Sequence, residues 1–367
     1  MKNYNLAFLG FGNVGRALVQ LLESKRGELA EHYGVTFTFT GVATRRLGWH
    51  ANPAGFAAAD LIGESTAITS HGGEPLGEPR GAADQTLNEL RDWLAASQAQ
   101  VLFENTSMNP HTGQPAIDYI RAALQAGIHV VTANKGPVVH AYHELRDLAA
   151  ANHVRFLHEA AVMGGAPIFS LFREALPAAR LMRFRGILNS TTNLILTEME
   201  QGNSFEAAVK KAQDLGIAET DPSFDVDGWD ATVKVSALAT VLMDYPLKPN
   251  DVVREGIRGL GMEQVQSAKM MGRPYKLVCQ AERKTDGTVV GSVRPEQVPN
   301  DEPLAGCDGA TSLILFQMDV IHGLTLSEIH PDAATTAYGP LAAFAFHHDC
   351  QESTQPVSPI CSTVCTG

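Results

Sequence analysis

Short apolar runs alternate with amphipathic stretches of helical length from residue 5 to about residue 157. This spacing predicts strands at 5–9, 36–43, 101–104, 129–132 and 155–158, with helices at 13–29, 87–96, 115–126 and 141–151 between them. Alternation of strand and helix builds a parallel sheet covered on both faces, because each crossover must run back over the sheet. Between 63 and 83 the chain is rich in Gly, Pro and Ser, which reads as a surface loop.

The texture changes after about residue 160. Gly164-Gly-Ala-Pro opens a helix, residues 181–188 read as a strand, and long amphipathic helices follow at 204–215 and 228–244. Alternating stretches at 276–282 and 289–293 predict a second, mixed sheet. A closing helix is expected within 332–346, with Gly339-Pro340 kinking it or delaying its start. The expected organisation is α/β: a dinucleotide-binding domain at 1–157, a mixed α+β domain for substrate and dimerisation at 158–310, a segment at 311–349 returning to the first domain, and a loose tail at 350–367.

Composition narrows the classes. A chain of 367 residues with 44% hydrophobic and 19% charged residues is long enough for two domains of ordinary globular make-up. A formal charge of -12 without a basic run argues against a nucleic-acid partner. Without a leader-like or membrane-length apolar run, a cytoplasmic location and no membrane partner are expected. Cys279, Cys307, Cys350, Cys361 and Cys365 form an odd set that suits reduced thiols, and with His347 and His348 they match no usual zinc spacing.

The first chemical signal follows the first strand. Gly10-Phe11-Gly12-Asn13-Val14-Gly15 joins that strand to a helix, the setting a dinucleotide fingerprint requires. Gly10 allows the turn, Gly12 lets the pyrophosphate approach, Gly15 lets helix and strand pack, and the helix N-terminus attracts phosphate. The second strand ends in Arg45-Arg46 with no acid to hold an adenine ribose, which favours NADP over NAD; two solvated arginines are the plainer alternative. Asn105 and Thr106 end one strand and Asn134-Lys135 another, at the carboxyl edge where open sheets hold ligands, although both asparagines could equally cap turns.

The second signal lies between 216 and 234, where Glu219, Asp221, Asp225, Asp227 and Asp230 precede Lys234 in an apolar helix. Asp230 and Lys234 are one turn apart, so burial and the carboxylate act on the lysine in opposite senses and leave it poised to exchange its proton near neutral pH. An exposed ion pair beside a solvated acidic loop fits the same residues.

Taken in order, the glycine turn, Thr132-Ala-Asn-Lys135, His158-Glu159-Ala-Ala-Val162, Gly186-Ile-Leu-Asn-Ser190-Thr-Thr-Asn and the 216–234 stretch resemble the homoserine dehydrogenases over residues 5 to about 349. The resemblance implies reversible NAD(P)-dependent oxidation of L-homoserine to L-aspartate 4-semialdehyde, in threonine and methionine biosynthesis. It also implies Lys234 as proton donor and acceptor, Lys135 as a second active-site lysine, and Gly216, Glu219 and Asp230 as substrate ligands. Two lysines facing one pocket are expected to depress each other's pKa. The loop carrying Glu159, Val162, Gly164 and Ala166 matches a sodium-binding segment of some relatives, or is a structural turn. A homodimer or homotetramer is expected, and no C-terminal regulatory domain is legible. The chain departs from the family pattern at Leu326-Ser-Glu328-Ile-His330-Pro-Asp332, where many relatives carry GPGAG. That departure leaves room for two other readings, an inactive nucleotide-sensing homologue or a dehydrogenase of another small amino acid.

Overall fold

The computed structural model describes residues 1–45, 48–63, 74–75 and 83–352. Arg46, most of the 63–83 loop and residues 353–367 of the tail lie outside the described residues, as do the side chains of His347, His348 and Cys350. Two sheets organise the rest. The first has the order β4-β3-β2-β1-β5-β6-β7, formed by β1 (Lys2–Leu9), β2 (Val35–Thr44), β3 (Gly48–Phe56), β4 (Glu74–Pro75), β5 (Val101–Glu104), β6 (His129–Thr132) and β7 (Phe156–Leu157). Strands β2, β1, β5, β6 and β7 run parallel, while β3 and β4 extend the sheet antiparallel from β2. Pro53 and Gly55 inside β3 hide that strand in the sequence, and β3 lies near the rim of the sheet, where both residues are tolerated.

The chain leaves β1 for β2 on one side and reaches β5 on the other, so a crevice opens at the carboxyl ends of β1 and β5. The helix expected over 13–29 is two helices, Asn13–Ser24 and Arg26–Tyr33, broken at Lys25. The helix expected from 141 begins earlier, at Lys135, and changes direction at Ala141. Asn134 sets that start: its side-chain oxygen accepts the Gly136 N–H at 3.0 Å, and Pro137 falls in the first turn, where its missing N–H costs nothing.

The second sheet has the order β13-β12-β8-β10-β11-β9. Its strands are β8 (Leu181–Ile187), β9 (Val253–Arg254), β10 (Tyr275–Arg283), β11 (Val289–Gln297), β12 (Ser312–Met318) and β13 (Leu324–Glu328). The expected return to the first domain at 311 is therefore corrected: β12 pairs with β8 and β13 with β12, so the chain stays in the second sheet until Glu328. The return is made by the helix Ala333–Glu352, which packs on helix Asn13–Ser24 and inserts Phe344 among Tyr4, Phe37 and Phe103. Pro340 neither delays nor ends this helix, since it removes a single N–H from a segment held by burial of Ala337, Leu341 and Phe344. Helices Ser190–Glu200 and Trp229–Leu242 lie on β10. Trp229–Leu242 is buried nearly all round, so it holds Asp230 and Lys234 rigidly.

Candidate active site

At the crevice, Gly10 has φ +83°, and a Cβ there would come within 2.5 Å of the Asn105 carbonyl oxygen, so the turn after β1 is pressed against the end of β5. Gly12 stands before the helix Asn13–Ser24, exposed, with open space where a side chain would be. No side chain caps that helix, so its first amides remain available to an anion. Phe11 and Gly15 are buried, and Asn13 and Val14 face outward in whole or in part. Both amide atoms of Asn105 are buried without a hydrogen-bond partner, the condition expected of a group that waits for a ligand amide. The open Gly12, the uncapped helix and the unpaired Asn105 amide fit a nicotinamide dinucleotide. Arg45 is exposed at the end of β2.

The ends of β5 and β6 are cross-braced. Glu104, fully buried, accepts the Thr106 N–H at 2.9 Å and the Thr106 hydroxyl through one oxygen, and the Thr132 hydroxyl at 2.7 Å through the other. Thr132 in turn accepts the Asn134 N–H at 2.9 Å. Burial raises the Glu104 pKa, and the three donors act against that rise.

From the second domain, Asp230 and Lys234 meet Lys135 across the gap. Lys234 Nζ lies 2.8 Å from one oxygen of Asp230, and Lys135 Nζ lies 3.4 Å from the other. Lys234 also donates to the Leu188 carbonyl at 2.7 Å. The Asn189 amide bridges two carboxylates, reaching Asp230 at 2.9 Å and Asp225 at 2.7 Å, while its own oxygen caps helix Ser190–Glu200. The two lysines expected to converge do so, through one shared carboxylate.

Their charge state differs from expectation. Burial by itself lowers the Lys234 pKa, but the adjoining Asp230 carboxylate outweighs it and the net shift is upward. Burial raises the Asp230 pKa, and Lys234 and Lys135 together overcome that and hold it well below the usual carboxylate range. The expected depression of Lys234 toward neutrality is thus corrected: a carboxylate at contact distance acts more strongly than a second ammonium farther off. Asp225 is pushed up, by burial first and then by the charge of Asp230.

A cavity of about 600 Å³ joins these groups. Gly216, Glu219, Asp225, Asp230, Lys135 and Lys234 all line it. Gly216 and Glu219 are exposed on the loop after helix Phe205–Asp214, at the cavity mouth. The departing 326–332 segment closes the opposite wall: Glu328 accepts the Gly165 N–H at 2.6 Å, and Asp332 caps helix Ala333–Glu352 through the Thr335 N–H at 2.7 Å. Asn189, Asp225, Glu328 and the Glu104 brace had no role assigned from sequence. Only their neighbourhood to Lys135 and Asp230 reveals them.

In the 159–166 loop the Glu159 carboxylate is buried and accepts the N–H groups of Phe169 and Ser170 at 2.8 and 3.0 Å, so it caps the segment that follows. The Ala166 carbonyl is taken by the Ile168 N–H at 2.8 Å. Val162 and Gly164 line the cavity beside them. Among the described residues no cluster of His, Cys, Asp and Glu side chains could hold a metal, and the loop could serve a cation only through its main-chain oxygens.

A dinucleotide crevice facing a lysine–carboxylate cluster on a second, mixed domain defines a two-domain NAD(P)-dependent oxidoreductase. Residues 10–159 match the family model described as homoserine dehydrogenase, NAD binding domain, and residues 167–343 match the model described as homoserine dehydrogenase. A NAD(+)-dependent homoserine dehydrogenase of Pseudomonas canavaninivorans is 37% identical over 95% of this chain and 97% of its own length. A homoserine dehydrogenase of Methanocaldococcus jannaschii is 34% identical over 86% of this chain and 90% of its own. Among solved structures, a putative homoserine dehydrogenase from Archaeoglobus fulgidus superposes with a TM-score of 0.80 at 28% identity, covering 95% of this chain and 99% of that one. A hyperthermophilic archaeal homoserine dehydrogenase in complex with NADPH superposes with a TM-score of 0.77 at 27% identity, covering 95% and 98%. The chain belongs to the homoserine dehydrogenase family, and neither the inactive-sensor reading nor another amino-acid substrate is favoured.

Proposed function

We propose that this chain interconverts L-homoserine and L-aspartate 4-semialdehyde with Lys234 as the proton-transferring group, Asp230 as its partner and Lys135 beside the reacting oxygen. The observation that carries this reading is the single Asp230 carboxylate holding both ammonium groups in one cavity between the domains. A nicotinamide dinucleotide, when bound, takes up or supplies the hydride at C4. In reduction, Lys234 delivers a proton to the carbonyl oxygen as the hydride arrives at carbon; in oxidation, it must first be neutral and then accept the hydroxyl proton. The raised Lys234 pKa sets the resting site for reduction. Glu219 at the mouth suits the substrate ammonium, and the unpaired Asn105 amide, with Thr106 beside it, suits the nicotinamide carboxamide.

NADP is proposed as the preferred coenzyme. Relatives carry both kinds by name, so the choice rests on Arg45 standing at the end of β2 with no acid next to it in the sequence. Homoserine-dependent nucleotide reduction, measured with NADP and NAD in parallel, tests activity and preference together. A faster rate with NAD refutes the coenzyme assignment, and no rate with either refutes the activity. A monovalent cation on the 159–166 loop enters the proposal only as a brace, held by main-chain oxygens of Glu159, Val162 and Gly164. Equal melting temperatures in sodium and choline buffers would remove it. A homo-oligomer and a cytoplasmic place in amino-acid biosynthesis complete the reading; among the described residues no helix is long and apolar enough to cross a membrane.

A further inference from the structure

We infer that Glu104 and Thr132 form a positioning pair that sets Lys135 and the 105–106 turn in register. The inference rests on the assignment of Lys135 to the reaction centre and adds the device that aims it. Glu104 is 0% exposed, lines no part of the cavity and touches neither lysine, so it acts only through its neighbours. Its two oxygens face different strand ends. One takes the N–H and hydroxyl of Thr106, fixing the turn that presents Asn105; the other takes the single hydroxyl proton of Thr132 at 2.7 Å.

With that proton committed, the Thr132 oxygen can only accept from Asn134, and it does so at 2.9 Å. Asn134 is thereby oriented to cap the helix that starts at Lys135, through Gly136 N–H at 3.0 Å, while its amide nitrogen reaches the Thr106 carbonyl at 3.3 Å and closes the ring of bonds. Every hydrogen bond at Glu104 is donated to it, by the Thr106 N–H and by the Thr106 and Thr132 hydroxyls, so both of its oxygens are engaged. A buried carboxylate that merely held β5 to β6 would be redundant, since main-chain pairing already joins those strands from Val101↔His129 to Glu104↔Thr132. The extra bonds run instead to the turns that follow the strands, directly to Thr106 and through Thr132 to Asn134.

The test uses Thr132→Val, close to threonine in shape but lacking the hydroxyl, together with Thr132→Ser and Glu104→Gln, all in the full chain. Thr132→Val and Glu104→Gln should each lower kcat about tenfold or more by misplacing Lys135, while Thr132→Ser, which restores the relay, should return kcat to within about twofold of the parent. A general packing role would lower the melting temperature without this hydroxyl dependence. Combining Thr132→Val with Lys135→Met should cost no more than about twofold beyond Lys135→Met alone, because the pair acts through that lysine. The inference is overturned if Thr132→Val keeps parental kcat, if serine fails to rescue, or if the valine penalty is undiminished without Lys135. Parental turnover in Lys135→Met by itself would instead overturn the assignment of the lysine.

Discussion

Lys234 shows how much one contact decides. Removing the carboxylate takes away the largest upward influence on the ammonium and leaves burial opposed only by lesser ones, Asp225 first, so Asp230→Asn should lower the Lys234 pKa. In the parent, homoserine oxidation should keep rising with pH toward and past 10.5, the ordinary lysine value, because only neutral Lys234 can take the hydroxyl proton. In Asp230→Asn that limb should move to lower pH, on a reduced maximum; a limb that stays in place would mean that another group titrates. The same substitution strips a buried partner from two cations and should cost about 3–5 kcal/mol of stability, read by urea unfolding. Lys234→Ala should cut turnover by orders of magnitude in both directions. Glu219, exposed at the cavity mouth, should behave differently: Glu219→Ala raises the homoserine KM and leaves kcat nearly unchanged.

Among the elements, helix Ala333–Glu352 is where local preference and packing disagree. A glycine in a helix interior costs about 1 kcal/mol relative to alanine, so propensity favours Gly339→Ala. Packing opposes it, because a Cβ at 339 would lie 2.4 Å from the Gly164 carbonyl oxygen and 3.0 Å from Ala160 Cβ. Overpacking against backbone costs about 1–3 kcal/mol, so packing should win and Gly339→Ala should melt lower than the parent. The same shift would move Thr336 and Asp332, which line the cavity, so the homoserine KM should rise with the fall in melting temperature. An unchanged melting temperature would show that the helix can slide without loss. The early start of helix Lys135–Ala151 has a comparable cause, since the Asn134 cap lies just ahead of the lysine it presents.

At the scale of the whole molecule, two buried histidines weaken the fold in acid. Burial and nearby Lys2 and Arg155 push His129 down to about 4, and burial with Arg173 pushes His158, packed among Phe156, Phe169 and Tyr142, down to about 3. Both folded-state values lie below 6.5, so as pH falls through 6.5 the unfolded chain takes up protons that the folded chain refuses. The contribution of the histidines is therefore level above that point and should fall below it by about 1.4 kcal/mol per pH unit for each, while Glu104, Glu159 and Asp225, whose folded-state pKa values are raised, act in the opposite sense. Against a total of about 5–15 kcal/mol each histidine is a sizeable share. Denaturant unfolding from neutral pH toward pH 4 checks it, and His158→Phe should make the slope shallower by about 1.4 kcal/mol per pH unit; an unaltered slope would place the titration elsewhere.

Much of this was legible in the residues themselves. Period and spacing identify the parallel sheet, the Gly10–Gly15 turn and the Asp230–Lys234 pair, because each depends on neighbours within one strand or one helical turn. Strand β3, next to the rim, escapes, since Pro53 and Gly55 break the pattern that a central strand would need. The place of β12 and β13 escapes too, because partners far apart in sequence choose the sheet. Only the tertiary structure could show one carboxylate shared by lysines from both domains, and with it the sign of the Lys234 shift. Desolvation and Coulomb energy depend on distance in space, and Lys135 reaches Asp230 by folding rather than by sequence spacing.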